Sequence, residues 1–159
     1  MSKFFDRLVS EGVYNEWYEI LDWLFDDKFK NWTKGQIGCF TKQVKKLPKI
    51  GKKTYQAGSV KNLVFPKTMD EHKLLKIIIS KTGSEGRDIV RHIRNGIAHG
   101  RTRIYKPNGI LHIEITDYKD ESRKKQTAYI YMPLNYINEI LKIYKSIEKT
   151  VKKESSTAA

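Results

Sequence analysis

Apolar residues recur at helical spacing along several stretches of the chain, and in one stretch the period shortens to two. Tyr14, Trp17, Tyr18, Leu21, Leu24 and Phe25 are interleaved with Glu16, Glu19 and Asp22, which predicts a helix over 13–25 with an aromatic core face. Gly35, Gly38, Pro48, Gly51 and Gly58 punctuate the next stretch, so a short helix near 36–46 and then a loop are expected. Pro66, Thr68 and Asp70 have the form of a helix start, with Leu74, Leu75, Ile77, Ile78 and Ile79 as its buried side. A Thr82-Gly83-Ser84-Glu85-Gly86 turn separates this element from a helix running from Arg87 to about Ala98. At about 100° per residue, Arg87, Arg91, Arg94 and Ala98 share one side of that helix. Val90, Ile93 and Ile97 fall well away from them, with Ile89 further round. Gly100 stands where a helix commonly terminates.

Beyond Arg101 the pattern alternates. Leu111, Ile113 and Ile115 are spaced by His112, Glu114 and Thr116, and Pro107-Asn108-Gly109 signals a turn. A hairpin joining 102–106 to 110–117 is predicted, with Ala128 to Met132 as a third strand and the charged run from Lys119 to Gln126 exposed. Pro133 is placed to open a last helix whose buried stripe is Leu134, Ile137, Leu141, Tyr144, Ile147 and Val151. The expected architecture is mainly α: a helical bundle with a small antiparallel β insertion before the C-terminal helix. No internal repeat or linker divides it, so residues 1–153 read as one domain and 154–159 as a frayed tail.

Charge sharpens this picture. The 159 residues hold 31 Lys and Arg against 18 Asp and Glu, a formal net charge of +13. That excess favours a nucleic acid or another anionic surface as partner, although solvated lysine helices also contribute to it. Seven lysines and no acidic residue lie between Lys42 and Lys61, which reads equally well as a solvated loop or as a track for a phosphate backbone. Cys39 is the only cysteine, so an intrachain disulfide and a zinc knuckle are excluded. The opening Met-Ser-Lys-Phe-Phe-Asp has no apolar signal core and no apolar run is long enough to span a bilayer, so a cytoplasmic protein without membrane attachment is expected.

The most pointed chemistry is the run Ile93-Arg94-Asn95-Gly96-Ile97-Ala98-His99-Gly100-Arg101. Cleaving RNA requires activation of a ribose 2′-OH, compensation of charge on the phosphate and protonation of the leaving oxygen. An imidazole, with a reference pKa of about 6.5, exchanges protons near neutrality. A guanidinium offers two parallel hydrogen bonds to phosphate oxygens that strengthen as charge accumulates. Asn95 can orient either group or hold a ribose hydroxyl. No metal or other cofactor is called for, and His72, His92, His99 and His112 form no HExxH pattern. The spacing alone is weak, since a histidine at a helix end often just meets free carbonyls.

Arg94 followed by the polar Asn95, with His99 after four intervening residues, on an apolar helix ending Ala-His-Gly, resembles the HEPN superfamily (higher eukaryotes and prokaryotes nucleotide-binding domains). Within it the chain looks like the small plasmid- and phage-defence type, the β insertion being a departure from a minimal bundle. The resemblance implies an HEPN-like bundle and a metal-independent endoribonuclease acting by 2′-OH attack, often as a toxin or anti-phage effector. It also implies a homodimer whose two motifs meet in one cleft, and in some members an antitoxin protein as partner. Arg94, Asn95 and His99 would be catalytic. Arg87, Arg91, Arg101 and Arg103 are candidate RNA-backbone contacts, although exposed arginines need no function.

His92 points elsewhere on the helix and reads as a surface or partly buried residue. Tyr105, Tyr129 and Tyr131 can stack on bases, but strand tyrosines more often pack a sheet. Two other readings stand beside the ribonuclease: a non-catalytic RNA- or nucleotide-binding module on the same scaffold, and a helix-turn-helix DNA binder drawn from residues 70–98.

Overall fold

A computed structural model describes residues 2–47, 53–57, 76–81, 85–106, 109–119 and 125–157. Among these residues the elements are α1 (Ser2–Ser10), α2 (Tyr14–Leu24), α3 (Lys34–Lys46), β1 (Lys53–Ala57), β2 (Lys76–Lys81), α4 (Glu85–Ala98), β3 (Thr102–Tyr105), β4 (His112–Tyr118), β5 (Gln126–Pro133) and α5 (Asn135–Thr157). The helices expected over 13–25, near 36–46, over 87–98 and at the C-terminus are present, as are the antiparallel β3–β4–β5 strands before the last helix.

The sheet is larger than the alternating pattern alone predicts. Its order is β1-β2-β5-β4-β3, with β1 and β2 parallel and the other pairs antiparallel. Lys76–Lys81 is therefore a strand and not the second half of a helix, and the helix-turn-helix reading of 70–98 fails with it. Three successive isoleucines are β-branched and stiff, and suit a strand flanked on both sides. The expected helix start at Pro66–Asp70 and the turn at 82–84 lie outside the described residues.

Helix α2 buries Trp17, Ile20, Leu21 and Leu24, but Tyr18 and Phe25 are exposed, so the aromatic face is narrower than expected. Helix α3 begins at a capping box. The Thr33 hydroxyl accepts from the Gln36 backbone N–H at 3.2 Å, and the Gln36 side-chain oxygen accepts from the Thr33 N–H at 2.8 Å. Pro133 closes β5 rather than opening the last helix, which starts at Asn135. The buried stripe of α5 is as predicted through Val151, and the helix continues to Thr157, into the segment expected to fray.

One apolar cluster joins α1–α5 to the inner face of the sheet, where Ile113, Ile115, Ile130 and Met132 sit. Helix α4 packs on α3 and on β4. Its contact with β4 is made through Gly96: a Cβ built there would lie 2.2 Å from Ile115 Cγ2. The alternate residues of β4 and β5 are also buried. On this second face His112 stacks on Tyr131 at 5.1 Å, and the Tyr129 hydroxyl donates to Glu114 at 3.0 Å. Burial pushes the Glu114 carboxyl above its ordinary range, against the lowering pull of Tyr129 and Arg103. Tyr129 and Tyr131 thus fill the sheet and do not present rings for base stacking.

Candidate active site

The motif occupies the C-terminal half of α4 and the turn after it. Helix α4 carries Ile89, Val90, Ile93 and Ile97 into the core and leaves Arg87, Arg91 and Arg94 exposed, so the predicted arginine stripe is realised. Gly100, at φ 66°, ends the helix. The Arg101 N–H donates to Gly96 O at 2.8 Å and the Gly100 N–H to Ile97 O at 3.1 Å, the paired bonds of a Schellman termination. This turn leaves His99 exposed on the last helical corner, its own N–H donating to Asn95 O at 2.9 Å.

Arg94, Asn95, Arg91 and Arg87 line one wall of an open cleft of about 620 Å³. The loop after α2 forms the opposite wall, with Phe25, Asp26, Asp27, Lys28 and Phe29. Arg94 lies 5.3 Å from the centre of the Phe25 ring and Arg87 lies 5.7 Å from that of Phe29, which holds both guanidiniums against the loop by cation–π attraction. Arg94 also donates from Nη1 to the Asn95 side-chain oxygen at 3.3 Å. His99 does not line this cleft; its position five residues beyond Arg94 turns it about 140° around the helix axis. Among the described residues its side chain has no hydrogen bond or ion pair.

Arg101 is largely buried, with Nη1 3.9 Å from Asp117 Oδ1 and its guanidinium 4.9 Å from the centre of the Tyr118 ring. Arg103 is exposed on β3 and pairs in register with Glu114, on the face of the sheet away from α4, so it is not gathered with the other arginines. His92 is fully buried, contrary to the surface or half-buried position expected, because β4 brings Asp117 to it: His92 Nδ1 lies 2.8 Å from Asp117 Oδ2.

Two residues at this site go unnoticed in the sequence pattern. Asp117 is one. The other is Lys28, whose Nζ donates to Leu24 O at 2.8 Å and Asp26 O at 3.1 Å and lies 5.3 Å over the Trp23 ring. Burial lowers the Lys28 ammonium to about 8, aided by Arg94 and opposed by Asp26 and Asp27. Its only sequence sign is a cation directly after two aspartates. No group of three or more His, Cys, Asp or Glu among the described residues is arranged to hold a metal ion, and no described helix is long and apolar enough to cross a membrane.

The scaffold is helical, with Arg94 exposed, Asn95 half-buried and His99 exposed at the corner of the same helix. The chain matches the family described as HEPN pEK499 p136 over residues 17–155, and it belongs to that family. Membership places it among proteins with nuclease or RNA-related functions in general, in a class whose domains commonly bind RNA and dimerise. No curated protein and no solved structure matches it.

Proposed function

We propose that the protein is a metal-independent endoribonuclease, acting as a toxin or anti-phage effector, with Arg94, Asn95 and His99 as its catalytic residues. The reading rests on one observation: the Arg94–Asn95 pair is presented on an open cationic cleft wall, and His99 is exposed at the end of the same helix without a partner of its own among the described residues. In this mechanism a ribose 2′-OH gives its proton to one imidazole and attacks phosphorus. The P–O5′ bond breaks, and the departing oxygen takes a proton from a second imidazole. The products are a 2′,3′-cyclic phosphate and a 5′-hydroxyl. The guanidinium of Arg94 compensates the charge on the phosphate oxygens, and Asn95 orients it.

Since one chain turns His99 away from the cleft that holds Arg94, the second imidazole is assigned to a second copy related by a two-fold axis. Arg87 and Arg91 extend the arginine wall along the strand, and Lys28 faces them from the loop. An antitoxin protein would act by covering this cleft. The separation of His99 from Arg94 also favours a second reading, an RNA- or nucleotide-binding module without catalysis.

Incubating the protein with labelled RNA in EDTA and mapping the fragment ends tests the two. Fragments ending in 2′,3′-cyclic phosphate support the nuclease, and stable binding with intact RNA supports the module. The cleft makes its own prediction. Lys28 carries its charge below a pH of about 8 and loses it above, so RNA affinity is expected to fall between about pH 7 and 9 at constant ionic strength. Lys28→Arg, whose guanidinium stays charged, is expected to flatten that dependence in fluorescence anisotropy.

A further inference from the structure

We infer that Asp117, on strand β4, is a positioning residue that fixes Asn95, and through it Arg94, for phosphate binding. Asp117 is 3 % exposed, and both of its carboxylate oxygens accept hydrogen bonds. Its Oδ2 accepts from Asn95 Nδ2 at 3.4 Å and from His92 Nδ1 at 2.8 Å. Its Oδ1 accepts from the Tyr118 N–H at 3.0 Å and lies 3.9 Å from Arg101 Nη1. A buried carboxylate is costly unless it is hydrogen-bonded, and here two bonds come from α4 and one from the neighbouring backbone of β4, with Arg101 as a nearby counter-charge.

The directions of these bonds give the arrangement its effect. Asn95 has one donating and one accepting end. With Nδ2 committed to Asp117, Oδ1 is turned to Arg94, where it accepts from Nη1 at 3.3 Å. Without that anchor the amide can flip and set its NH2 against the guanidinium. His92 is held in a definite tautomer by the same logic. Arg91 Nη2, which can only donate, lies 3.4 Å from His92 Nε2, so Nε2 accepts and the ring proton sits on Nδ1, facing Asp117. One carboxylate from β4 therefore fixes the amide of Asn95, and with it the contact to Arg94.

This inference rests on the ribonuclease reading for its kinetic test and has a second test that does not. Asp117→Asn keeps shape and loses the charge and one acceptor. It is expected to lower kcat for RNA cleavage by about ten- to a hundredfold with KM little changed. In an Asn95→Ala background the same substitution is expected to have almost no further effect, within about twofold, because the residue it acts through is gone. A kcat near wild type, or an undiminished effect in the Asn95→Ala background, overturns the inference.

The second test reads the wild-type protein and needs no substitution at Asp117. The side-chain amide of Asn95, identified by its disappearance in Asn95→Ala, is expected to show slowed hydrogen exchange in a nitrogen–proton NMR spectrum. Exchange at the rate of a free amide overturns the inference even if Asp117→Asn does not fold. A wild-type protein that cuts no RNA but shows the protected amide would refute the nuclease and leave Asp117 as the anchor of Asn95.

Discussion

His99→Ala is expected to reduce metal-independent RNA cleavage by about 10²–10⁴-fold, the usual contribution of a positioned acid–base group. His99 is exposed and has no side-chain partner among the described residues, so its removal leaves no cavity and strands no buried polar group. Circular dichroism and the thermal midpoint should match those of wild type. Arg94→Lys makes the companion test: the ammonium retains the charge but loses the planar fork that two phosphate oxygens require. Cleavage by Arg94→Lys should fall towards that of Arg94→Ala while RNA binding falls less. If purified His99→Ala cuts at the wild-type rate, the assignment of catalysis to this motif is wrong. The same pair of proteins, expressed in cells and scored for growth arrest and for fragments of cellular RNA, tests the toxin role.

Gly96→Ala is expected to destabilise the fold by ~2 kcal/mol, although alanine in a helix interior ordinarily stabilises by roughly 0.5–1 kcal/mol relative to glycine. The new Cβ would lie 2.2 Å from Ile115 Cγ2, far inside van der Waals contact. That methyl is attached directly to the β-carbon of a β-branched side chain, which has little rotamer freedom with which to yield. Helix and strand must therefore move apart. For a chain of this size the thermal midpoint should drop by ~4–8 °C. Ile115→Ala removes the obstructing methyl, so adding Gly96→Ala to that background should cost little more, and the difference between the two backgrounds measures the clash. Equal costs in both would show that helix and strand do not meet at Gly96.

Much of this arrangement is legible in the residues, and the exceptions have physical reasons. The arginine stripe of α4, the glycine that ends it and the alternating hairpin each follow from local periodicity, which survives folding because one face of each element meets the core. The Thr33–Gln36 capping box is equally available from its spacing and places the start of α3 at Lys34. Ile77, Ile78 and Ile79 mislead because a continuous apolar run fits a buried strand and a buried helix alike; short length and β-branching favour the strand.

Asp117 is harder to see, as His92 and Asn95, its partners on α4, lie more than twenty residues upstream. A trace is there nonetheless: Ile113, Ile115 and Asp117 fall on one face of an alternating strand, which puts an acid on the side that packs against the helices. His92 escapes for the converse reason, since nothing within its helix announces a carboxylate delivered by a distant strand. Tyr18 and Phe25 share helical spacing with core residues yet stay exposed, and Phe25 instead supports Arg94.

The bare backbone of Gly96 resting on Ile115 couples helix α4 closely to strand β4. A side chain at position 96 would force the two apart, while His92 and Asn95 tie the same helix to Asp117 of the strand. A shortened protein that kept only the helices would preserve the letters Arg-Asn and His while losing the carboxylate to which Asn95 is tied. The strands are thus the bench on which the helix that carries Arg94 and Asn95 is mounted.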